Sequence, residues 1–173
     1  HWGSRLAFDS QGYLYFTIGD RGARNKNPQD LNRDGGKVYR IKDDGTIPED
    51  NPFYGQSGAK QAVYSYGHRN PQGLAIDLTN DFIWEHEHGP QGGDEINLIK
   101  PGKNYGWPVE TYGMKYGSPP MPWRSVASGG RDERLRVVFK PFSESDHGPQ
   151  GGDEIRLTVD GRNYGWPVET LRK

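Results

Sequence analysis

The sequence predicts an all-β domain, and three observations support that prediction. The chain has 25 Gly and 13 Pro among 173 residues, so turns are frequent and long amphipathic helices have little room. Short runs of β-branched and aromatic residues alternate with clusters of turn residues. Two motifs occur twice, as they do in proteins built from repeated sheets. We therefore expect antiparallel strands joined by polar turns.

Disorder is the alternative explanation of a composition rich in glycine and proline. Aromatic residues make up 12% of the chain, more than disordered segments usually carry, so a folded domain is favoured. The net charge of -1 and the lack of any Lys/Arg run argue against a nucleic-acid partner. The sequence has no cysteine, which excludes disulfides and thiolate metal sites. No apolar stretch approaches the roughly 20 residues of a membrane span, so none is expected.

The first predicted element is a hairpin near the start of the chain. Its strands are Leu6 to Phe8 and Tyr13 to Ile18, and Asp9 to Gly12 between them are turn residues. The same pattern predicts further strands at Lys37 to Ile41, Gly73 to Ile76 and Phe82 to Glu85. Successive antiparallel strands with polar turns predict a meander.

The internal repeat is the most specific feature of the sequence. HGPQGGDEI covers residues 88–96 and returns at 147–155, and NYGWPVET covers residues 104–111 and returns at 163–170. Self-similarity at this spacing is typical of β-propellers, in which every blade repeats one sheet. Near-identity of the copies indicates a recent duplication or recombination.

A group of His and Glu residues at the end of one predicted strand suggests zinc. In a strand His86 and His88 share one face, whereas Glu85 and Glu87 share the other. A site with two His ligands needs further ligands, and no motif in the sequence supplies them. The zinc interpretation therefore stays incomplete at this level.

Residues 67–73, GHRNPQG, place a cation and an amide at the start of a predicted strand. Arg69 and Asn70 both donate hydrogen bonds to carbonyl or carboxylate oxygens, and Arg does so in a rigid fork. A structural turn would tolerate the same residues, so their chemistry leaves a binding site and a turn as equal alternatives. His1 is a further titratable group, although a terminal His is usually frayed.

Taken in order, these segments resemble the soluble pyrroloquinoline-quinone (PQQ) dependent glucose and aldose sugar dehydrogenases. The matching stretches are HWGSRL, YFTIGDRG, GKVYRI, DGTIP, GHRNPQGL and the segment from Glu87 to Pro108. They occur in the family's order and spacing as far as Trp123. The resemblance implies a β-propeller of four-stranded antiparallel blades, six in the family, of which this chain contains about half.

The resemblance also implies roles for individual residues. His1 is the expected catalytic base that removes the proton of the sugar's anomeric hydroxyl, which suits an imidazole near neutral pH. Arg69 is expected to act in catalysis as well, because it binds and polarises the quinone oxygens together with Asn70. Gln72 is expected to supply a further polar contact to the cofactor.

Calcium is the second cofactor that the resemblance implies. The carbonyl oxygens of Gly89 and Pro90 are the expected ligands, since calcium prefers oxygen donors. The expected reaction is oxidation of an aldose to a lactone, with electrons passing through PQQ to an external acceptor. The same resemblance implies a periplasmic or secreted location.

The sequence departs from the family after Trp123. We predict propeller blades over residues 1–123 and a divergent segment over residues 124–173, which contains the repeated motifs at 147–170. The divergent segment lacks the family motifs that supply Lys and Arg partners to the PQQ carboxylates. Between the two copies of the motifs, from Tyr112 to Ser145, Leu135 to Phe139 is the one clear strand candidate. The alternative is an inactive propeller fragment that acts as a binding or assembly module. An open propeller exposes strand edges, so this alternative predicts a homo-oligomer.

Overall fold

Eight strands account for the regular structure of the described chain. The computed structural model describes residues 1–90, 93–111, 113 and 137–138. The strands are β1 (Gly3–Phe8), β2 (Leu14–Ile18), β3 (Lys37–Ile41), β4 (Val63–Tyr66), β5 (Pro71–Asp77), β6 (Phe82–Glu87), β7 (Glu95–Ile99) and β8 (Val137–Val138). Within those ranges we find no helix of the length and apolarity that a membrane crossing requires. The predicted all-β class is confirmed.

The strands form two antiparallel sheets of four. The first sheet has the order β1-β2-β3-β4 and the second the order β5-β6-β7-β8, so each is a simple meander. Such sheets are the blades of a β-propeller, and we call them blade 1 and blade 2. β1 lies against β5. The first strand of each blade therefore lies at the contact between the blades, which positions the site described below.

Most of the predicted strands agree with the structure within a few residues. The segment predicted at Lys37 to Ile41 is β3, and the strand predicted at Leu135 to Phe139 is found as the two-residue β8. β8 pairs with β7 and completes blade 2, although it lies beyond Trp123. The division of the chain between residues 123 and 124 stays a prediction. β4 and β7 were not predicted, because β4 has only four residues and the buried side chains of β7 include polar ones.

Residues that alternate along the strands bury one face of each blade. The hydrophobic core contains Tyr15 and Val38 of blade 1 and Ile83 and Ile99 of blade 2. Tyr105, from the segment after β7, joins the same cluster. This alternation follows from the two-residue period of a strand.

The buried face of blade 2 changes from apolar to polar along β6 and β7. One end carries two isoleucines, and the other end carries carboxylates and an amide. The facing pairs along this side are Ile83 with Ile99, Glu85 with Asn97, and Glu87 with Glu95. The polar end lies beside the loop that follows β6.

Side-chain hydrogen bonds join the two blades along β1, β2 and β5. The hydroxyl of Thr17 in β2 donates to the carbonyl of Pro71 at 2.8 Å, and this bond is buried. The Nε of Arg5 in β1 donates to the carbonyl of Gln72 at 3.1 Å. Both acceptors lie at the start of β5, so the blades are joined at the end where the functional side chains collect.

Candidate functional site

Four chain segments, of which the first two are held together, meet at the end of the blades where β1 and β5 begin. The first two are the pair of residues before β1 and the turn that follows β2 at residues 19–22. The third is the connection between the blades at residues 67–70, and the fourth is the loop after β6 at residues 88–90. In a meander the start of the first strand and the end of the second are neighbours, so each blade delivers two of its segments to this end.

His1 is held by a buried carboxylate. Its Nδ1 lies 2.5 Å from Oδ1 of Asp20, a residue with no exposed surface. The same oxygen accepts a hydrogen bond from the backbone N–H of Gly22, and Oδ2 accepts one from Nε1 of Trp107, both at 2.8 Å. An ionised carboxylate only accepts hydrogen bonds, so Nδ1 of His1 donates and Nε2 carries the lone pair. The imidazole is thereby oriented as a base.

Two glycines permit the close approach of the segments that carry His1 and Asp20. Gly3 has φ of 70°, and a Cβ at this position would lie 2.7 Å from the backbone nitrogen of Gly19. A Cβ on Gly19 would overlap the carbonyl oxygen of His1. Because neither position has room for a side chain, the motifs that contain these glycines bring the base to its carboxylate.

Arg69 and Asn70 are buried beside the His1–Asp20 pair. The backbone N–H of Asp20 donates to the carbonyl of Arg69 at 2.9 Å, which joins the two groups. The Nη1 of Arg69 donates to the carbonyl of His88 at 2.7 Å, and its guanidinium lies 5.4 Å from the Trp107 ring centre. Its Nε is buried without a hydrogen-bond partner among the described residues. The structure therefore brings together three predicted site residues and leaves one strong donor unused.

Asn70 is fixed at the junction between β1 and the loop after β6. Its Oδ1 accepts a hydrogen bond from the backbone N–H of Gly3 at 3.4 Å, and its carbonyl accepts one from the N–H of His88 at 3.3 Å. These contacts tie Asn70 to blade 1 through Gly3 and to blade 2 through His88.

The structure places the other predicted site residues next to this group. Gln72 lies in β5, and its side chain is exposed while its carbonyl binds Arg5. Gly89 and Pro90 follow His88 directly, and the N–H of Gly89 donates to the carboxylate of Asp94 at 2.8 Å. The expected roles of Gln72, Gly89 and Pro90 stay predictions. The second copy of the motif, at residues 147–155, lies outside the described residues.

The donor set fits the two expected cofactors. A buried guanidinium with an unused Nε and a neighbouring amide suit the oxygens of an anionic quinone. The carbonyls of residues 89 and 90 and the carboxylate of Asp94 are hard oxygen donors, the kind that calcium binds. Arg69 contacts the loop that carries these donors, so both groups would lie within one site.

Asp20 and Trp107 are residues of the candidate site that the sequence did not reveal. The sequence does offer a weak signal for each residue. Asp20 is an acidic residue just after a predicted strand, and Trp107 is the aromatic residue of a repeated motif. Their pairing joins residues that are 87 positions apart. No local pattern indicates such a contact.

The two blades and their shared site place the protein in the class of β-propellers. The family model described as "Glucose / Sorbosone dehydrogenase" matches residues 1–141 and again residues 138–173. The chain belongs to this family. The resemblance inferred from the motifs is thereby confirmed, and the second match is consistent with the duplication that the sequence indicates.

Known relatives of similar sequence belong to the same group of enzymes by name. The chain is 48% identical over 122 residues to Aldose sugar dehydrogenase YliI of Escherichia coli, which covers 70% of the chain and 33% of the relative. It is 40% identical over 127 residues to Quinoprotein glucose dehydrogenase B of Acinetobacter calcoaceticus, covering 62% of the chain and 26% of that protein. The chain therefore spans about a third, or less, of the length of these relatives.

Solved structures agree with the propeller fold. The apo form of the soluble aldose sugar dehydrogenase of Escherichia coli superposes with a TM-score of 0.64 at 49% identity, covering 67% of this chain and 33% of that one. The PQQ-bound form of an aldose sugar dehydrogenase from Streptomyces coelicolor gives a TM-score of 0.57 at 44% identity. The latter match covers 64% of this chain and 31% of that chain.

Proposed function

We propose that this chain carries the proton-transfer and quinone-contacting groups of a dehydrogenase that oxidises aldose sugars at the anomeric carbon to lactones. The proposal rests on one observation, the His1–Asp20 pair beside Arg69 and Asn70. The relatives named as aldose sugar and glucose dehydrogenases, and the PQQ-bound neighbour, support the substrate class and the cofactor.

His1 is the proposed catalytic base. Its Nε2 takes the proton of the anomeric hydroxyl as the hydrogen on the same carbon leaves with its electron pair. Asp20 stabilises the imidazolium that forms, because its buried carboxylate already accepts the hydrogen bond from Nδ1. The base therefore keeps one orientation in both protonation states.

Arg69 and Asn70 are the proposed cofactor contacts. When bound, PQQ supplies the two-electron acceptor for the sugar. The guanidinium of Arg69 and the amide of Asn70 would orient it and bind oxygens on which negative charge develops. Gln72 would add a polar contact from β5.

Calcium is proposed to bind the loop after β6. The carbonyl oxygens of Gly89 and Pro90 would be its ligands from the protein, and a cation held there would stabilise negative charge that develops on the cofactor. The contact between Arg69 and His88 would keep that loop beside the base.

Reconstitution tests the proposed function. The purified chain is mixed with PQQ and calcium chloride, desalted, and assayed for quinone absorbance and for dye reduction with glucose. We expect retained quinone and turnover, and His1→Gln should keep the quinone while losing nearly all turnover. The matched control is Asp43→Asn, an exposed turn residue that should leave both unchanged. Loss of the quinone on desalting together with absence of turnover would overturn the proposal for this chain.

A specific observation also favours an assembly function, the second candidate. Exposed apolar side chains lie on β1 and around the β5–β6 turn, namely Leu6, Phe8, Leu78 and Phe82. In a closed propeller such a surface packs against a neighbouring blade. A second copy of the chain is the proposed occupant here. Light scattering should show a dimer or larger species that Leu6→Lys converts to a monomer, and a monomeric parent chain would contradict this candidate.

The periplasmic or secreted location stays a proposal from the resemblance.

A further inference from the structure

A cluster of buried ligand-type side chains lies in the interior of the molecule, and none of its members contacts His1 directly in the described structure. It consists of His68, from the connection between the blades, and Glu85 and Glu87 of β6. Their exposed fractions are 0%, 1% and 4%. One ligand atom from each lies within 4.8 Å of the others. The proposed function uses none of these side chains.

The imidazole of His68 faces both carboxylates without a hydrogen bond to either. Its Nδ1 lies 3.8 Å from Oε2 of Glu85 and 3.5 Å from Oε1 of Glu87, and this buried nitrogen has no hydrogen-bond partner among the described residues. Its Nε2 is engaged with the hydroxyl of Ser65 at 2.9 Å. When Nε2 donates to that hydroxyl, Nδ1 points a lone pair at two carboxylates.

Asn97 of β7 carries a further unpaired atom at the same place. Its Nδ2 donates to Glu85 at 2.9 Å and to Glu87 at 3.3 Å, while its buried Oδ1 has no partner in the part of the chain that the structure describes. Rotation of the amide by half a turn would exchange the two atoms and give the cluster another oxygen donor. A small cation between the carboxylates would make that rotation favourable.

The two carboxylates of the cluster are buried together, and within the described ranges their ion pairs are those with His68. The ammonium of Lys37 is bonded to the carbonyls of Asn27, Pro28 and Gly35. Buried carboxylates need a proton or a cation to compensate for lost hydration.

We propose that His68, Glu85 and Glu87 bind one divalent transition-metal ion of the zinc type, with Asn97 as the fourth ligand. One imidazole nitrogen with carboxylate and amide oxygens suits zinc, whereas calcium takes oxygen ligands only. Bonds of about 2.0 to 2.2 Å in a tetrahedral site space the ligand atoms about 3.3 to 3.6 Å apart. The two distances from Nδ1 of His68, 3.5 and 3.8 Å, are close to this spacing, and the ligand atoms of all three residues lie within 4.8 Å of one another.

Outer contacts hold the proposed ligands in place. Ser65 binds the second nitrogen of His68, as partners of metal-bound imidazoles commonly do. Tyr105 stacks on the imidazole with ring centres 4.7 Å apart. The second oxygen of Glu87 accepts the backbone N–H of Arg69. The ion would thereby fix the connection between the blades, independently of any dehydrogenase activity.

Zinc binding by the whole chain tests the proposal. The chain is purified without a nickel column, dialysed against a chelator, and titrated with zinc chloride against a chromophoric competitor. We expect one tightly bound zinc per chain and a thermal midpoint that rises with zinc concentration. His68→Gln should weaken zinc binding at least about 100-fold. The matched control is His88→Gln, which alters an exposed His–carboxylate pair in the same blade and should leave zinc affinity unchanged.

A second measurement keeps the proposal testable if His68→Gln fails to fold. Cobalt(II) added to the unaltered chain should give the visible absorption of a four-coordinate site with nitrogen and oxygen ligands. If the chain binds no zinc in the titration and cobalt(II) gives no such spectrum, the proposal is overturned. A proton shared between the carboxylates would then be the occupant. Equal zinc affinity in a folded His68→Gln variant would overturn it as well.

Discussion

At the scale of single residues, Asp20 organises the candidate site more than any other side chain. Its two carboxylate oxygens receive hydrogen bonds from His1, Gly22 and Trp107. Its backbone N–H binds Arg69. Asp20 contacts His1 through its side chain but Arg69 through its backbone N–H. A side-chain change at Asp20 should therefore affect the proposed proton transfer and leave the proposed cofactor contacts in place.

Asp20→Asn tests this positioning role. An amide can donate to Nδ1 of His1 and so favour the wrong tautomer, which should lower kcat about 100-fold or more. Retention of PQQ should change little, and the KM for glucose should stay within a few fold. Steady-state kinetics of the reconstituted chain provide the measurement. A parallel loss of retained PQQ would indicate a structural role for Asp20 instead.

Lys37 gives a pH dependence of stability. Burial lowers the pKa of this ammonium to about 8, below the value of about 10.4 in an unfolded chain. Between these values the unfolded state binds more protons, so the free energy of unfolding should rise with pH, by at most about 1.4 kcal/mol per pH unit. Burial raises the pKa of Tyr15 and Tyr39, so stability should fall again above about pH 10.

Urea denaturation between pH 7 and 9.5 measures the Lys37 effect. In the Lys37→Met variant the free energy of unfolding should be nearly independent of pH across this window. In the control Lys42→Met, which removes an exposed ammonium, it should still rise with pH. If the free energy of unfolding of the unaltered chain does not change over this pH range, burial does not lower the pKa of Lys37, and the prediction is wrong.

At the scale of elements, the β1–β2 hairpin positions the base. Gly19→Ala would place a methyl group against the carbonyl of His1, so the strand ends must separate. We expect a loss of about 2 to 4 kcal/mol in the free energy of unfolding. Gly12→Ala, in the turn of the same hairpin, meets no atom within 4 Å and should cost about 1 kcal/mol through its φ of 84° alone. Equal losses would contradict the crowding argument.

Elements with an ordinary alternation of side chains could be predicted from the sequence, as β2 was to within one residue. β7 alternates too, but its buried positions include Glu95 and Asn97, so a search for alternating apolar residues misses it. Arg69 and Asn70 were recognised through the resemblance, since their chemistry fitted a turn equally well. Asp20 could not be assigned, because its partners come from both ends of the described chain.

At the scale of the whole molecule, the site depends on contact between the blades. Thr17 supplies a buried bond across this contact, from β2 to the start of β5. Thr17→Val should leave the carbonyl of Pro71 without that donor and lower the free energy of unfolding by about 1 to 3 kcal/mol. Thr46→Val, at an exposed turn, is the control and should change it by less than about 0.5 kcal/mol.

Urea unfolding, followed by fluorescence and circular dichroism together, measures the effect of Thr17→Val. Coincident transitions are expected if the blades unfold as one unit. A variant in which the two signals separate would show that the blades unfold independently.

The bond between Trp107 and Asp20 has a consequence for the order of folding. It closes a loop of 87 residues, whereas each blade forms mainly from neighbouring strands. Long-range contacts form late because their loop-closure entropy is paid before they stabilise the chain. During synthesis His1 is made before Trp107, which completes the hydrogen-bond network of Asp20. Competence for proton transfer should therefore arise as one of the last events of folding, after both sheets exist.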